Sequence, residues 1–415
     1  MRVLSRRAAE KYVRKLEQRG AADLVRVEKQ VRRIVEDVRT NGDRALRRYA
    51  EKFDDLGRRQ PLRVAQSELE HAWQTSSEEF KQALKSAAAN IRRYCEWQKP
   101  HEWHQLTADG IRVGQIVRPI HSAGCYVPGG RYPLPSTMLM TVIPAQVAGV
   151  EEIRVASPRP ARETLATAFF LGVHEIYRMG GAQAIAAFAY GTKSVPRMDK
   201  IVGPGNLFVT AAKKQVAFDC AIDFLAGPTE VVVVSEHGQP DFIAADLVAQ
   251  AEHDPEALAV FITSSPNLAI SVAEATRIQA TNNETARAAL RKNGAVLLAE
   301  THEQAINIAN RIAAEHITID EDDLGLIRNA GSIFVGGYSP QAAGDYASGP
   351  NHVLPTGAMA RFRGGLGVQD FMKVISVQQL SQQGLSQIAS AVVTLAETEG
   401  LKAHAESIRV RYAHA

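Results

Sequence analysis

The chain has 415 residues, of which 45% are hydrophobic and 22% charged, and carries a formal net charge of +3. That length exceeds the size at which a single hydrophobic core keeps growing, so at least two domains are expected, in a composition ordinary for a globular protein. The three cysteines, Cys95, Cys125 and Cys220, are odd in number, far apart and outside any C-x-x-C pair, which argues against a disulfide framework and a thiolate zinc knuckle.

The N-terminal stretch MRVLSRRAAEKYVRKLEQRG lacks the apolar run of a signal peptide. No run of about 18 apolar residues follows, so neither a membrane nor export is expected and a cytoplasmic location is. The first fifty residues hold 15 Lys and Arg against 7 Asp and Glu. A nucleic-acid arm is one reading of that excess. Val27, Val31, Ile34 and Val38 favour another, because their 4-3-4 spacing puts the charges on the solvent face of an amphipathic helix and leaves no nucleic-acid partner. Residues 1 to about 108 read as almost wholly helical, with Asn41-Gly42-Asp43 as a stop and a new start.

From residue 111 short β-rich runs alternate with apolar helices: IRVGQIVRPI, TMLMTVIPAQVAGV, EIRVAS, ETLATAFFLGV, EIYRMGG, then DKIVGPG, NLFVTAAKKQVAF and EVVVVSE. Such alternation predicts parallel βαβ units and enough strands for two open sheets. From about Gly367 the pattern turns helical again. The expected class is α/β, two Rossmann-like open parallel-sheet domains with a helical lead-in and a small helical tail. The expected boundaries are an arm over 1–20, a first α/β domain over 21–125 and 231–366, a second over 126–230, and a tail over 367–415.

Ligands of open α/β sheets bind at the carboxyl ends of strands, which draws attention to three glycine-rich turns at 124–135, 179–191 and 202–214. Each sets glycine before a helix N-terminus, where free N–H groups and the helix dipole favour phosphate. None is the G-x-G-x-x-G fingerprint; VGPGNL has Phe208 where the third glycine belongs. A fourth turn, FLAGPTEVVVV, sets Thr229 and Glu230 at the mouth of a strand, where the hydroxyl has local backbone as its simplest partner.

The helix DFIAADLVAQAEHDP runs into Pro255, which places Gln250 and His253 on its last turn, three residues apart and about 5–6 Å between Cβ atoms. Asp345 lies in the turn-rich GDYASGPNHVLPT, where capping is a competing role, and His352 in the same loop is a substrate-orienting candidate. Together with His404 these donors suit a zinc-type site, the Gln supplying an uncharged oxygen. Glu315 and His316 stand at a helix-to-strand junction. Neighbours on a strand point to opposite faces, so both serve one cleft only if the pair lies on the turn itself. His174, His237 and His302 are assigned no role.

The segments GCYVPGG, GGAQAIAA, VGPGN, DFLAGPTE, AQAEHDP, AEHITID, GDYASGPNHVLPT and EGLKAHAESIRV resemble, in order and spacing, the motifs of histidinol dehydrogenases. The resemblance spans essentially the whole chain. It implies a zinc-dependent, NAD-linked, four-electron oxidation of L-histidinol through L-histidinaldehyde to L-histidine. Carried over residue by residue, it implies one zinc per chain on Gln250, His253, Asp345 and His404, with the substrate completing the shell. It makes His316 the base for the alcohol proton and Glu315 the residue that activates water. It implies NAD contacts from Tyr126, Gln183 and Asn206, and substrate contacts from Thr229 and Glu399 as well as from His316 and the metal set. A homodimer with exchanged tails is also implied, which explains why His404 and Glu399 lie so far along the chain.

The departures are Thr229 where Ser is frequent, Ala314 where Pro is common, and a glycine-richer GAMARFRGGLGVQDF. The alternatives are a paralogue with the same machinery acting on another small polar alcohol, a metal-dependent hydrolase, and a non-catalytic metal- or nucleotide-binding protein.

Overall fold

The computed structural model describes residues 1–19, 24–129 and 133–412. It opens with strand β1 (Arg2–Ser5) and helices α1 (Arg6–Glu17), α2 (Leu24–Phe53), α3 (Gln66–Gln74) and α4 (Glu78–Trp97). Strands β2 (Trp103–Ala108) and β3 (Ile111–Pro119) follow. A first α/β run holds β4 (Ser122–Tyr126), α5 (Pro135–Ala148), β5 (Glu152–Ala156), α6 (Arg162–Phe170), β6 (Ile176–Tyr177), α7 (Gly181–Tyr190), β7 (Lys200–Val202), α8 (Leu207–Val216) and β8 (Ala221–Ile222). A second holds β9 (Glu230–Val234), α9 (Pro240–Ala251), β10 (Leu258–Thr263), α10 (Pro266–Gln279), α11 (Glu284–Asn293), β11 (Ala295–Leu298), α12 (His302–Ile312), β12 (His316–Ile319), β13 (Ser332–Val335) and α13 (Gln341–Tyr346). The chain ends with β14 (Met372–Leu380), α14 (Gln382–Thr398) and α15 (Lys402–Tyr412).

Two parallel sheets carry the fold, in the orders β6-β5-β4-β7-β8 and β1-β11-β10-β9-β12-β13. In each α/β run the chain lays strands outward on one side and then returns to the other side of that run's first strand, β4 or β9, while β1 joins the outer edge of the six-stranded sheet. The switch points are therefore β4/β7 and β9/β12. The central strands EVVVV and LAVFIT are buried at every residue, as helices on both faces of a parallel sheet require.

Three stretches expected to be helical are strands. The first residues of the N-terminal arm form β1, which pairs with β11 and gives that edge strand a partner along Arg2–Ser5. Residues 372–380, read as helical, form β14, antiparallel to β3 along its whole length. The β-branched Val374, Ile375 and Val377 favour extended backbone, and the long ladder outweighs the helical appearance of the flanking sequence. β2 likewise replaces helix over 103–108. The expected break at Asn41-Gly42-Asp43 is present: Gly42 sits at φ 50°, ψ −131° and splits α2 into two helices.

The domain limits also differ from those expected. One compact unit comprises residues 1–97 and 121–371 and contains both parallel sheets; the other comprises 98–120 and 372–415. IRVGQIVRPI thus leaves the βαβ series, because β3 pairs with β2 and β14 in a three-stranded antiparallel sheet, and the tail is not purely helical. Within the first unit, α2 packs on α7 and α8 and shares their apolar core, so residues 24–53 belong with the five-stranded sheet. Among the described residues, no helix is long and apolar enough to cross a membrane.

Candidate active site

Helix α9 leaves the carboxyl end of β9 and runs back along the sheet, so its last turn returns to the sheet's amino edge. There it meets Thr229 and Glu230 at the start of β9 and Glu315 and His316 at the start of β12. This site therefore lies at the edge opposite the one where open α/β sheets usually bind ligands. The helix closes at Ala251, and His253 follows in the turn with its N–H 3.4 Å from the Gln250 carbonyl.

Glu315 ends the turn and His316 begins β12, so the two side chains serve one pocket. Glu315 Oε2 accepts from Thr229 Oγ1 at 2.6 Å and from the Glu230 N–H at 2.9 Å. Thr229 also accepts from the Gln250 amide nitrogen, so its hydroxyl bridges two side chains instead of satisfying local backbone. His316 Nδ1 lies 3.1 Å from the Glu230 carbonyl and 3.6 Å from Glu315 Oε2. A carbonyl only accepts, so Nδ1 carries hydrogen and the lone pair of the neutral ring sits on Nε2. That Nε2 is buried, has no hydrogen-bond partner among the described residues, and lies 3.6 Å from Asp345 Oδ1. Phe334 backs the imidazole with ring centroids 5.7 Å apart.

Burial pushes the Glu315 carboxyl up to about 7, against the pull of His316 and the two hydrogen bonds. Burial pushes His316 down, but the carboxylates of Glu315 and Asp345 and the Glu230 carbonyl outweigh it and bring the imidazole up to about 9. Asp345 is raised by burial and lowered more by the imidazoles of His316, His352 and His253, which leaves it below its ordinary value. It is the fifth residue of α13, so it neither lies in an open turn nor caps a helix N-terminus. Gly344 beside it is required by packing: a Cβ there meets Phe334 Cε1 at 2.7 Å. His352 Nδ1 is held 2.7 Å from the Asp345 carbonyl.

The donor set suits a divalent cation. The Gln250 amide nitrogen turns to Thr229, which leaves the oxygen as the donor atom, and Asp345 supplies a carboxylate in a pocket of imidazoles. Among the described residues no three His, Cys, Asp and Glu side chains gather closely enough to hold a metal. Of the four expected ligands only His253, Asp345 and His404 are of those types, and His404 belongs to the other unit. Glu399, the C-cap of α14, and His404 on α15 are both exposed there.

The residues expected to meet NAD gather at the β4/β7 switch point. Tyr126 ends β4, and its Oη accepts from the Gly181 N–H at 3.1 Å. Gln183 lies in the first turn of α7. Asn206 caps α8 by accepting from Phe208 and Val209 N–H groups. Gly203 has φ +116°, and a Cβ there meets the Tyr126 carbonyl at 2.1 Å, so only glycine lets β7 turn so close to β4. The expectation of free N–H groups at these turns is corrected by the structure. Asn206 satisfies α8, while Tyr126 and Asp54 satisfy α7, so both helix starts already hold an acceptor. Residues 130–132 of the first glycine turn lie outside the described residues.

The sequence reading missed three residues, Lys213, Asp223 and Arg19, that hold these sites in shape. Lys213 and Asp223 form a pair 2.6 Å apart with side chains 3% and 1% exposed, and both also bond Gly203. Arg19 grips Glu230 at 2.6 and 2.7 Å through two nitrogens. A lysine in an apolar helix was the available signal for the first pair; the second joins residues 211 positions apart, beyond any local pattern.

The family model described as histidinol dehydrogenase matches residues 17–412. The chain belongs to the histidinol dehydrogenase family. It is thus an oxidoreductase of a family that catalyses the last steps of histidine biosynthesis. It is 45% identical to the histidinol dehydrogenase of Methanosarcina barkeri, covering 98% of this chain and 96% of that one. It is 48% identical to that of Haloarcula marismortui, covering 92% and 93%. A crystal structure of histidinol dehydrogenase from Elizabethkingia anophelis superposes with a TM-score of 0.94 at 34% identity, covering 100% of this chain and 98% of that one.

Proposed function

We propose that this chain, in the cytoplasm, oxidises L-histidinol through L-histidinaldehyde to L-histidine, with one zinc per chain and two NAD consumed in turn. The observation that carries the reading is the buried Nε2 of His316, which makes no hydrogen bond among the described residues and has the Asp345 carboxylate at 3.6 Å, beside Glu315 and Gln250. A buried ring nitrogen left without a partner costs stability unless a ligand supplies one.

In this reading Gln250, His253, Asp345 and His404 hold zinc, which when bound would orient the substrate and polarise its oxygen. Thr229 and Glu399 hold the amino alcohol. Raised to about 9, the His316 imidazole is mostly charged at neutral pH, so it accepts the alcohol proton at Nε2 from its deprotonated form, with Nδ1 fixed on the Glu230 carbonyl so that the lone pair then faces substrate. Glu315, with a proton affinity matched to neutral pH, takes a proton from the water that attacks the aldehyde carbon. NAD, held by Tyr126, Gln183 and Asn206, supplies the hydride acceptor for both oxidations.

His404 and Glu399 reach the site from a partner's tail in an exchanged homodimer. The exposed apolar residues Val374, Ile375, Val377 and Leu380 of β14 support a protein partner for the second unit. The deciding experiment is stoichiometry: two NADH formed per L-histidinol consumed. No NADH with histidinol, but turnover of another polar alcohol, moves the assignment to a paralogous dehydrogenase.

A further inference from the structure

The residue at the end of α2 is placed to act on cofactor binding without touching the chemistry. Asp54 is 6% exposed, and its Oδ2 accepts from the Gly180 N–H at 2.9 Å and from Gln183 Nε2 at 3.0 Å. It lies 126 positions from Gly180 in the chain, yet fills the N-terminus of α7 with a carboxylate. That is where a Rossmann fold ordinarily receives the cofactor's pyrophosphate.

A second consequence concerns the Gln183 amide. The acceptor atom of Asp54 binds the amide through its nitrogen, so the nitrogen is committed to Asp54 and the oxygen is the atom left to meet a ligand. Burial raises the Asp54 carboxyl, while its hydrogen bonds from Gly180 and Gln183 favour the charged form.

We propose that Asp54 is a positioning residue for NAD: it locks Gln183 with its oxygen presented as an acceptor for the cofactor's hydroxyl or N–H groups. This rests on the reading of Gln183 as an NAD contact. The test compares wild type with Asp54→Leu, Asp54→Asn, Gln183→Leu and the double variant Asp54→Leu/Gln183→Leu. It measures the calorimetric Kd for NAD and the KM and kcat with L-histidinol.

Gln183→Leu and Asp54→Leu should each weaken NAD by about tenfold, the scale of one buried hydrogen bond, and the loss should fall on KM rather than kcat. The double variant should be no worse than the weaker single, because Asp54 acts through Gln183. Asp54→Asn keeps an oxygen able to accept both bonds and should restore most of the affinity. Losses that add in the double variant, or an unchanged Kd in Asp54→Leu, overturn the proposal. If Asp54→Leu does not fold, Gln183→Glu replaces it. That variant keeps an oxygen toward the cofactor but sets a carboxylate oxygen against Asp54; loss like that of Gln183→Leu supports the proposal, and an unchanged Kd refutes it. Absence of NAD binding by wild type instead overturns the NAD reading itself.

Discussion

Replacing Glu315 by Gln separates its two properties, the charge it carries and the hydrogen bonds it accepts. The amide oxygen can still accept from Thr229 Oγ1 and the Glu230 N–H, so the turn keeps its shape. What is lost is a carboxylate raised from 4.5 to about 7, which means that folding disfavours the ionised form by about 3 kcal/mol. For a group whose folded value is raised, the contribution to stability is complete at low pH and is lost as pH rises through the folded value. The penalty is therefore absent near pH 4, grows between about 4.5 and 7, and is full above that range. Glu315→Gln should accordingly match wild type near pH 4.5 and exceed it at pH 8. About 3 kcal/mol is the ceiling, because charged His316 loses a neighbour in the variant.

Catalysis should move the other way. The aldehyde step loses its proton acceptor and slows by about 10²–10⁴-fold, while the alcohol step retains His316. The assays are thermal denaturation across pH 4.5 to 8 and NADH yield per histidinol with an aldehyde trap, which should fall from two toward one. A variant that still yields two NADH at the wild-type rate, or whose stability advantage is the same at both ends of the pH range, refutes the assignment of Glu315.

His316→Ala should abolish turnover while metal content stays near one per chain; loss of metal instead means that His316 is a ligand and not the base. Lys213→Met leaves Asp223 charged, buried and unpaired beside the Gly203 turn, and should cost about 3–5 kcal/mol with weakened NAD binding. Denaturation and NAD titration check it, and a melting temperature within a degree of wild type would remove Lys213 from the account.

The local chemistry of this chain was legible in its sequence. Alternating β-rich and helical runs gave two parallel sheets, the Gly42 break was visible in Asn41-Gly42-Asp43, and Pro255 marked the end of α9 near Gln250. These features depend on backbone preferences acting over a few residues, which a single sequence displays. The candidate site residues were also reached from the sequence, by their resemblance to a family.

Tertiary structure alone decided what happens between distant segments. Residues 372–380 are extended because β3 offers them a nine-residue ladder, a pairing across more than 250 positions that no local pattern encodes. The acid/base pair faces the amino edge of its sheet because α9 runs back along it, and Thr229 bridges Gln250 and Glu315 only once β9 and β12 lie side by side. The α7 N-terminus looked open in sequence because its acceptor, Asp54, arrives from a helix 126 residues earlier. Hydrogen bonding and burial act through space, so the environments that set the Glu315 and His316 proton affinities exist only in the folded chain.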